Sequence, residues 1–284
     1  MANPIQWFPG HMAKAQREIE EKIKLVDIVL ELIDARIPYS SINPVFENTL
    51  QNKKKLYIMT KIKMADPKIT EKWVEHYKSK NIPIIAVDSI SGVNVNKIAA
   101  LCKEVLKEKL EKERLKGMKP RSIRTMVIGI PNVGKSTLIN ALCGKKIAKT
   151  ANKPGVTKSQ QWIRLSNELD LLDTPGVLWP KFEDQITGYN LALTGAIRDD
   201  IIHKDDLTLY FIDYLRGQYP QSFNKYDISL EMENDNIEVL NKIAKKNNFF
   251  YKDHYDYERV YELIINDFRS LKLGLISIEA PNEE

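Results

Sequence analysis

The octapeptide Gly129-Ile-Pro-Asn-Val-Gly-Lys-Ser136 lies near the middle of a 284-residue chain and restricts the possible folds more than any other feature. Its spacing is GxxxxGK[ST]. An apolar run, Met126-Val127-Ile128, precedes it, and a helical pattern, Leu138-Ile139-Asn140-Ala141-Leu142, follows. Strand, tight glycine loop and helix in that order present successive backbone N–H groups to a polyphosphate. Asn132, Val133, Gly134, Lys135, Ser136 and Thr137 are therefore candidate nucleotide contacts. The Lys135 ammonium suits the terminal phosphates, and the Ser136 hydroxyl suits Mg²⁺. The alternative is a bare structural turn, which needs neither flank.

Two matching pieces lie downstream. Gly155-Val156-Thr157 supplies a hydroxyl for the second side of the Mg²⁺. Asp173-Thr174-Pro175-Gly176 follows an alternating strand pattern at Leu169–Leu172. Asp173 is placed to orient a metal-bound water, and the Gly176 N–H to meet a γ-phosphate. Ser136, Thr157 and Asp173 make up the expected metal site. Lys135, Thr157 and Gly176 are the expected catalytic contacts on the phosphates.

A base-reading motif is expected next, and nothing C-terminal of Gly176 fits one. A candidate lies upstream, at Thr60-Lys61-Ile62-Lys63, after the strand pattern Leu56-Tyr57-Ile58-Met59. A second apolar run, Ile84–Val87, ends in Asp88-Ser89, where a loop stacking on the base is expected. Base motifs thus precede phosphate motifs, as in a circular permutation. A doubly wound α/β sheet tolerates this, because cutting and rejoining exposed loops leaves the strand-end site intact.

That order, the opening Trp7-Phe8-Pro9-Gly10-His11-Met12, the segment Asp34-Ala35-Arg36-Ile37-Pro38 and the GIPNVGKS, NKPGVT and DTPG motifs cover nearly the whole chain. Together they resemble the circularly permuted GTPases of the YlqF/RbgA (ribosome biogenesis GTPase A) type. The resemblance implies a GTP hydrolase that docks on a late precursor of the bacterial large ribosomal subunit, binds rRNA and leaves after hydrolysis. It also implies a catalytic role for His11 when ribosome-bound; the alternative is that His11 simply begins a helix and meets the partner. Asn132 occupies a position where related GTPases hold a potassium ion; a hydrogen bond within the loop is the alternative.

A net charge of +5 and a pI near 8.9 permit a nucleic-acid partner without requiring one. Cys102 and Cys143 have no metal spacing and suggest buried thiols in a reducing compartment. No apolar run approaches the ~18 residues of a membrane span, and no hydrophobic leader opens the chain, so a cytoplasmic protein without membrane contact is expected. A monomer is expected as well.

Residues 1–185 are expected to form the permuted GTPase domain of a doubly wound α/β fold, and residues 186–284 an all-helical, RNA-binding domain. Apolar spacing marks helices after Gly10, from Asp66-Pro67, over 94–115, and around Leu207, Ile237 and Val260; a strand is expected over Val26–Ile33. In the helical part, Lys242, Lys245, Lys246, Lys252, Arg259, Arg269 and Lys272 are candidates for rRNA phosphates, or else a solvated face.

Two positions depart from the pattern of ordinary GTPases. Val177 follows DTPG and has no hydrogen-bonding side chain to orient water. Intrinsic hydrolysis is therefore expected to be slow, on the order of 10⁻⁴ s⁻¹ or below, with stimulation by a partner. Lys63 stands where a carboxylate normally accepts from guanine's ring N–H and amino group. An ammonium has only donors, so guanine selectivity should weaken. Asp66 is a nearby carboxylate, better explained as a helix N-cap. A different functional class, a non-catalytic or base-unselective RNA-binding scaffold that senses nucleotide, stays open. An ATP-using nucleic-acid enzyme would need helicase-type motifs, and none is found.

Overall fold

Ile28–Asp34 is apolar at almost every position, as a strand covered on both faces of a parallel sheet must be. In the computed structural model every residue of this strand is buried. The structure describes residues 10–50, 53–144, 161–164, 168–173, 177–178, 184–233 and 235–281.

The elements run α1 (Gly10–Lys22), β1 (Ile28–Asp34), α2 (Val45–Leu50), β2 (Lys54–Thr60), α3 (Pro67–Ser79), β3 (Ile84–Ala86), α4 (Ile98–Val105) and α5 (Lys107–Leu115). Then come β4 (Ile123–Gly129), α6 (Lys135–Cys143), β5 (Gln161–Arg164) and β6 (Leu169–Asp173). The remainder is α7 (Gln185–Leu193), α8 (Lys204–Gln218), α9 (Asn236–Lys246), β7 (Phe250–Tyr251), β8 (His254–Tyr255) and α10 (Tyr257–Arg269).

Among the described residues the main sheet has the order β3-β2-β1-β4-β6-β5. All neighbours are parallel except β5, which runs antiparallel to β6. The strand that carries the glycine loop, β4, is fourth in the chain and lies mid-sheet between β1 and β6. The two halves of the chain therefore meet along the β1–β4 pairing, where Leu30 lies beside Val127 and Leu32 beside Gly129.

Side-chain alternation divides the core. Leu30, Leu32, Ile58 and Val127 face α4 and α6 through Ile98, Cys102, Leu138 and Ile139. Val29, Met126 and Ile128 pack with Ile19 of α1 and Phe46 and Leu50 of α2. Ile33, Tyr57 and Met59 pack with Trp73 and Tyr77 of α3. The first cluster continues into the helical part, through Leu191, Leu193, Ala196, Phe211, Ile264 and Phe268.

Three details differ from the sequence reading. The first strand begins two residues later, at Ile28, because the Asp27 carboxylate is drawn off to the Arg124 N–H and Arg121. The long helix expected over 94–115 is two helices. Buried Leu106, at φ −95°, anchors the break, and none of the residues after it in α5 is buried. The helical part also contains a two-stranded hairpin, turned at Lys252 (φ +54°) with Phe250 directly opposite Tyr255. That aromatic cross-strand pair supplies packing that period-3.6 reasoning misses.

Candidate nucleotide site

The glycine loop leaves the carboxyl end of β4 and enters α6, so the first turn of that helix points its N–H groups at the loop. Gly129 has no substitute here. With φ at +155°, a Cβ would lie 2.9 Å from the Leu32 carbonyl oxygen and 3.0 Å from Val133 Cγ1. Gly134 caps α6 at φ +104°. The Lys135 side chain is buried and folds back over the loop, where Nζ donates to the carbonyls of Gly129 (3.1 Å) and Ile130 (2.9 Å). Ser136 and Thr137 follow in the first turn, both partly exposed.

The upstream motif arrives at the same place. Thr60 ends β2, and its hydroxyl donates to the Val133 carbonyl at 2.6 Å, tying the base-side strand to the phosphate loop. Lys61 follows in the left-handed region (φ +59°), with Nζ 2.9 Å from Asp34 Oδ2. Lys63 is exposed. Asp66 caps α3: Oδ1 accepts from the N–H groups of Lys68 (2.8 Å) and Ile69 (3.3 Å), and Pro67 takes the first helical position. Its second oxygen accepts from the Tyr219 hydroxyl at 3.3 Å. Both carboxylate oxygens are thus engaged. After β3, Asp88 turns into its own loop and accepts from the Ser91 N–H at 2.8 Å. The Ser89 hydroxyl beside it is buried and meets no hydrogen-bonding partner among the described residues.

Asn132 also has a positive φ (+58°), and its amide donates to the Gly195 carbonyl at 2.7 Å. That partner belongs to the turn after α7 and lies outside the loop. Val177 is 1 % exposed and sits in the apolar cluster behind β4, with its carbonyl accepting from Asn43 at 3.0 Å. Asp173 ends β6, opposite Gln161 of β5. His11 is the second residue of α1. The side chains of His11 and Asp173, and Thr157, Gly176 and Trp179 entirely, lie outside the described residues.

Sequence reasoning assigned no role to the Asp34–Arg36 pair. Arg36 is 2 % exposed, and its guanidinium grips Asp34 through Nε (2.9 Å) and Nη2 (2.8 Å). Burial pushes the Asp34 carboxyl up, but the Arg36 and Lys61 cations outweigh it and hold it well below the usual carboxylate range. Sequence reasoning also missed the C-terminal segment. The Arg36 carbonyl accepts from the Ile278 N–H (2.8 Å), Ser277 Oγ accepts from the Asp66 N–H (3.1 Å), and Glu279 accepts from the N–H groups of Tyr39 (2.7 Å) and Ser40 (3.1 Å). An Asp-x-Arg at the end of an apolar strand was a readable hint; contacts some 240 residues apart leave no local trace.

The expected phosphate ligands of the helical part are largely engaged within the protein. Lys242 pairs with Glu233, Lys246 with Asp227, Arg269 with Asp199 and Lys272 with Asp267. Arg259 lies 4.1 Å from the Phe249 ring centroid, and Lys252 lies over the Tyr251 ring.

A glycine loop on the central strand of a doubly wound sheet, with base-side and phosphate-side loops meeting through Thr60, defines a permuted P-loop nucleotide-binding protein. A family model described as 50S ribosome-binding GTPase matches residues 124–247, beginning within β4. The chain is 48 % identical to ribosome biogenesis GTPase A of Bacillus pumilus (strain SAFR-032), over 98 % of this chain and 99 % of that one. The fold matches the crystal structure of GNP-bound YlqF from T. maritima with a TM-score of 0.69 and 25 % identity, covering 95 % of this chain and 100 % of that one. It matches GDP-bound TM YlqF with a TM-score of 0.65, also at 25 % identity, over 94 % and 100 %. The chain belongs to the ribosome biogenesis GTPase A family.

Proposed function

We propose that this protein binds GTP at the carboxyl ends of β1, β2 and β4, hydrolyses it, and uses the cycle to control its residence on a precursor of the large ribosomal subunit. The observation that carries the reading is the Thr60–Val133 hydrogen bond, which joins base-side and phosphate-side loops from distant parts of the chain. Full-length similarity to ribosome biogenesis GTPase A and to nucleotide-bound YlqF supports both the nucleotide and the partner.

Phosphoryl transfer to water requires positioning and charge neutralisation more than covalent help. Lys135, released from its loop carbonyls, is the cation for the terminal phosphates. The loop amides through Gly134 and Thr137 hold the remaining oxygens, and Gly176 the γ-phosphate. The oxygen donors Ser136, Thr157 and Asp173 suit the hard Mg²⁺ ion and would hold it, and its charge would offset the negative charge developing on the phosphates. Among the described residues no cluster of three His, Cys, Asp or Glu side chains could hold a metal. Buried Val177 offers nothing to a water, so His11, or a potassium ion at the Asn132 carbonyl oxygen, is the proposed supplement. Lys61, Asp88 and Ser89 line the base side.

The partner is the subunit precursor and its rRNA, and the protein is proposed to act as a cytoplasmic monomer. No helix among the described residues is long and apolar enough to cross a membrane. The test is GTP turnover with and without large subunits, wild type beside Lys135→Ala. Subunit-stimulated turnover in the wild type, with nucleotide binding lost in the variant, is expected. An inert wild type in the presence of subunits would leave only the scaffold reading, which the donor-only side chain of Lys63 favours.

A further inference from the structure

The charge of this chain is divided unevenly. Residues 186–284 carry eleven Lys and Arg against eighteen Asp and Glu, although the whole chain has 43 against 38. The helical part is therefore acidic, and the basic excess lies in the sheet-bearing part. It concentrates over residues 103–121, with eight Lys or Arg and four Glu.

This stretch includes α5, a nine-residue helix with no buried residue. A helix that short, tied to the core only through half-buried Leu110, gains little from propensity or packing. Leu115, its last residue, is 78 % exposed, and Met118 just beyond it is 49 % exposed. Lys54, Lys109, Lys112 and Lys116 ring a groove of about 480 Å³, lined also by buried Leu106, half-exposed Met118 and two carboxylates, Glu108 and Glu113, the latter paired with Arg121 at 3.2 Å, so that the lysines outnumber the acids two to one. Lys109 is paired with Asp27 at 2.5 Å. Among the described residues Lys54, Lys112 and Lys116 make no ion pair, unlike most cations of the helical part.

We propose that this face docks the phosphodiester backbone of RNA. The proposal rests on the assembly-factor reading above and assigns its RNA contact to α5 and the start of β2 rather than to the helical part. Lys112 and Lys116 lie one helical turn apart and reach successive backbone phosphates, and the groove admits the sugar edge between them. The location has a mechanistic consequence. Asp27 precedes β1, Lys54 opens β2 and Arg121 precedes β4, whereas the nucleotide site lies where those strands end. Seven-residue strands separate the two by about 20 Å. The anchor is therefore insensitive to nucleotide state, and GTP governs only what happens at the other end of the sheet.

The test is equilibrium binding of the full chain to protein-free large-subunit rRNA between about 50 and 200 mM salt, with GDP and with a non-hydrolysable GTP analogue. Each lost phosphate contact removes roughly 0.7–0.9 from the slope of log K against log salt. Lys112→Gln/Lys116→Gln should flatten that slope by about 1.5 in both nucleotide states and leave GTP affinity unchanged. Lys242→Gln/Lys245→Gln should leave the slope as in wild type. An unaltered slope in the α5 variant, or flattening only in the helical-part variant, would overturn the location while leaving RNA binding intact. A loss confined to one nucleotide state would overturn the independence of the anchor. Wild type that binds no RNA would refute the underlying reading itself.

Discussion

The phosphate loop and the base-side loop are held in different ways. Gly129–Ser136 takes its shape from its own backbone: two glycines at positive φ, a helix entered directly, and a lysine folded onto its own loop carbonyls. Thr60–Asp66 is held from outside. Asp34 and Arg36 secure Lys61, Ser277 and Tyr219 secure Asp66, and the 276–279 segment lies along Arg36. A loop that recognises its ligand through backbone N–H groups needs a fixed local sequence. A loop that recognises through side chains can have its specificity altered at one position while its scaffold persists, and Lys63 is the position proposed to do so here.

The largest effect that would test this difference is Asp34→Ala. Removing the carboxylate leaves Arg36 buried without a counter-ion and frees Lys61. Breaking a buried pair from one side costs about 3–5 kcal/mol. Urea unfolding should register that loss, and nucleotide affinity should fall further than the lower stability alone explains. A stability change below about 1 kcal/mol, within the range of an exposed pair, would mean that the base-side loop is as self-supporting as the phosphate loop.

Lys63→Asp comes next. Among the described residues the two nearby carboxylates are already committed, Asp66 to its helix and to Tyr219, and Asp34 to Arg36 and Lys61. Competition of GDP and ADP for the site should show weak guanine preference in the wild type and at least about a tenfold gain in the variant, on the scale of one or more recovered hydrogen bonds to a charged group. Strong guanine preference in the wild type would show that the base is read by backbone groups, and the contrast between the two loops would disappear.

What was legible in the sequence follows the same division. The glycine loop and the N-cap at Asp66 could be read because each depends on residues adjacent in the chain. The apolar runs of β1, β2 and β4 declared a buried parallel sheet, and the order of motifs matched its strand order. The break at Leu106 was hidden, since a single buried leucine in a helical pattern signals no change of direction. The hairpin at Lys252 was hidden because four strand residues carry no measurable period. Asn132 was assigned either an ion or its own loop, and its partner, Gly195, became visible only when the turn after α7 was packed against it. Lysines of the helical part looked available for phosphate because their acidic partners, such as Asp199 and Asp267, lie far away in the chain or across a turn.

The smallest effect concerns the clamp on the base-side loop. Burial raises the Glu279 carboxyl above its ordinary value of 4.5, although Ser40, Asn190 and the Tyr39 N–H pull the other way. A raised folded value means that the fold prefers the neutral acid. This stabilisation is complete below pH 4.5 and fades as the pH rises through the folded value. Asp34 has the opposite sign: its lowered value contributes stability above its ordinary 3.8 that is lost as the pH falls. Unfolding free energy measured from pH 4 to 8 should therefore slope gently downward where Glu279 ionises, and Glu279→Gln should flatten that slope while leaving the acid limb in place. Parallel curves for wild type and variant would mean that the four donors compensate fully for burial. The C-terminal clamp would then hold the base-side loop equally well at every pH, as the phosphate loop holds itself.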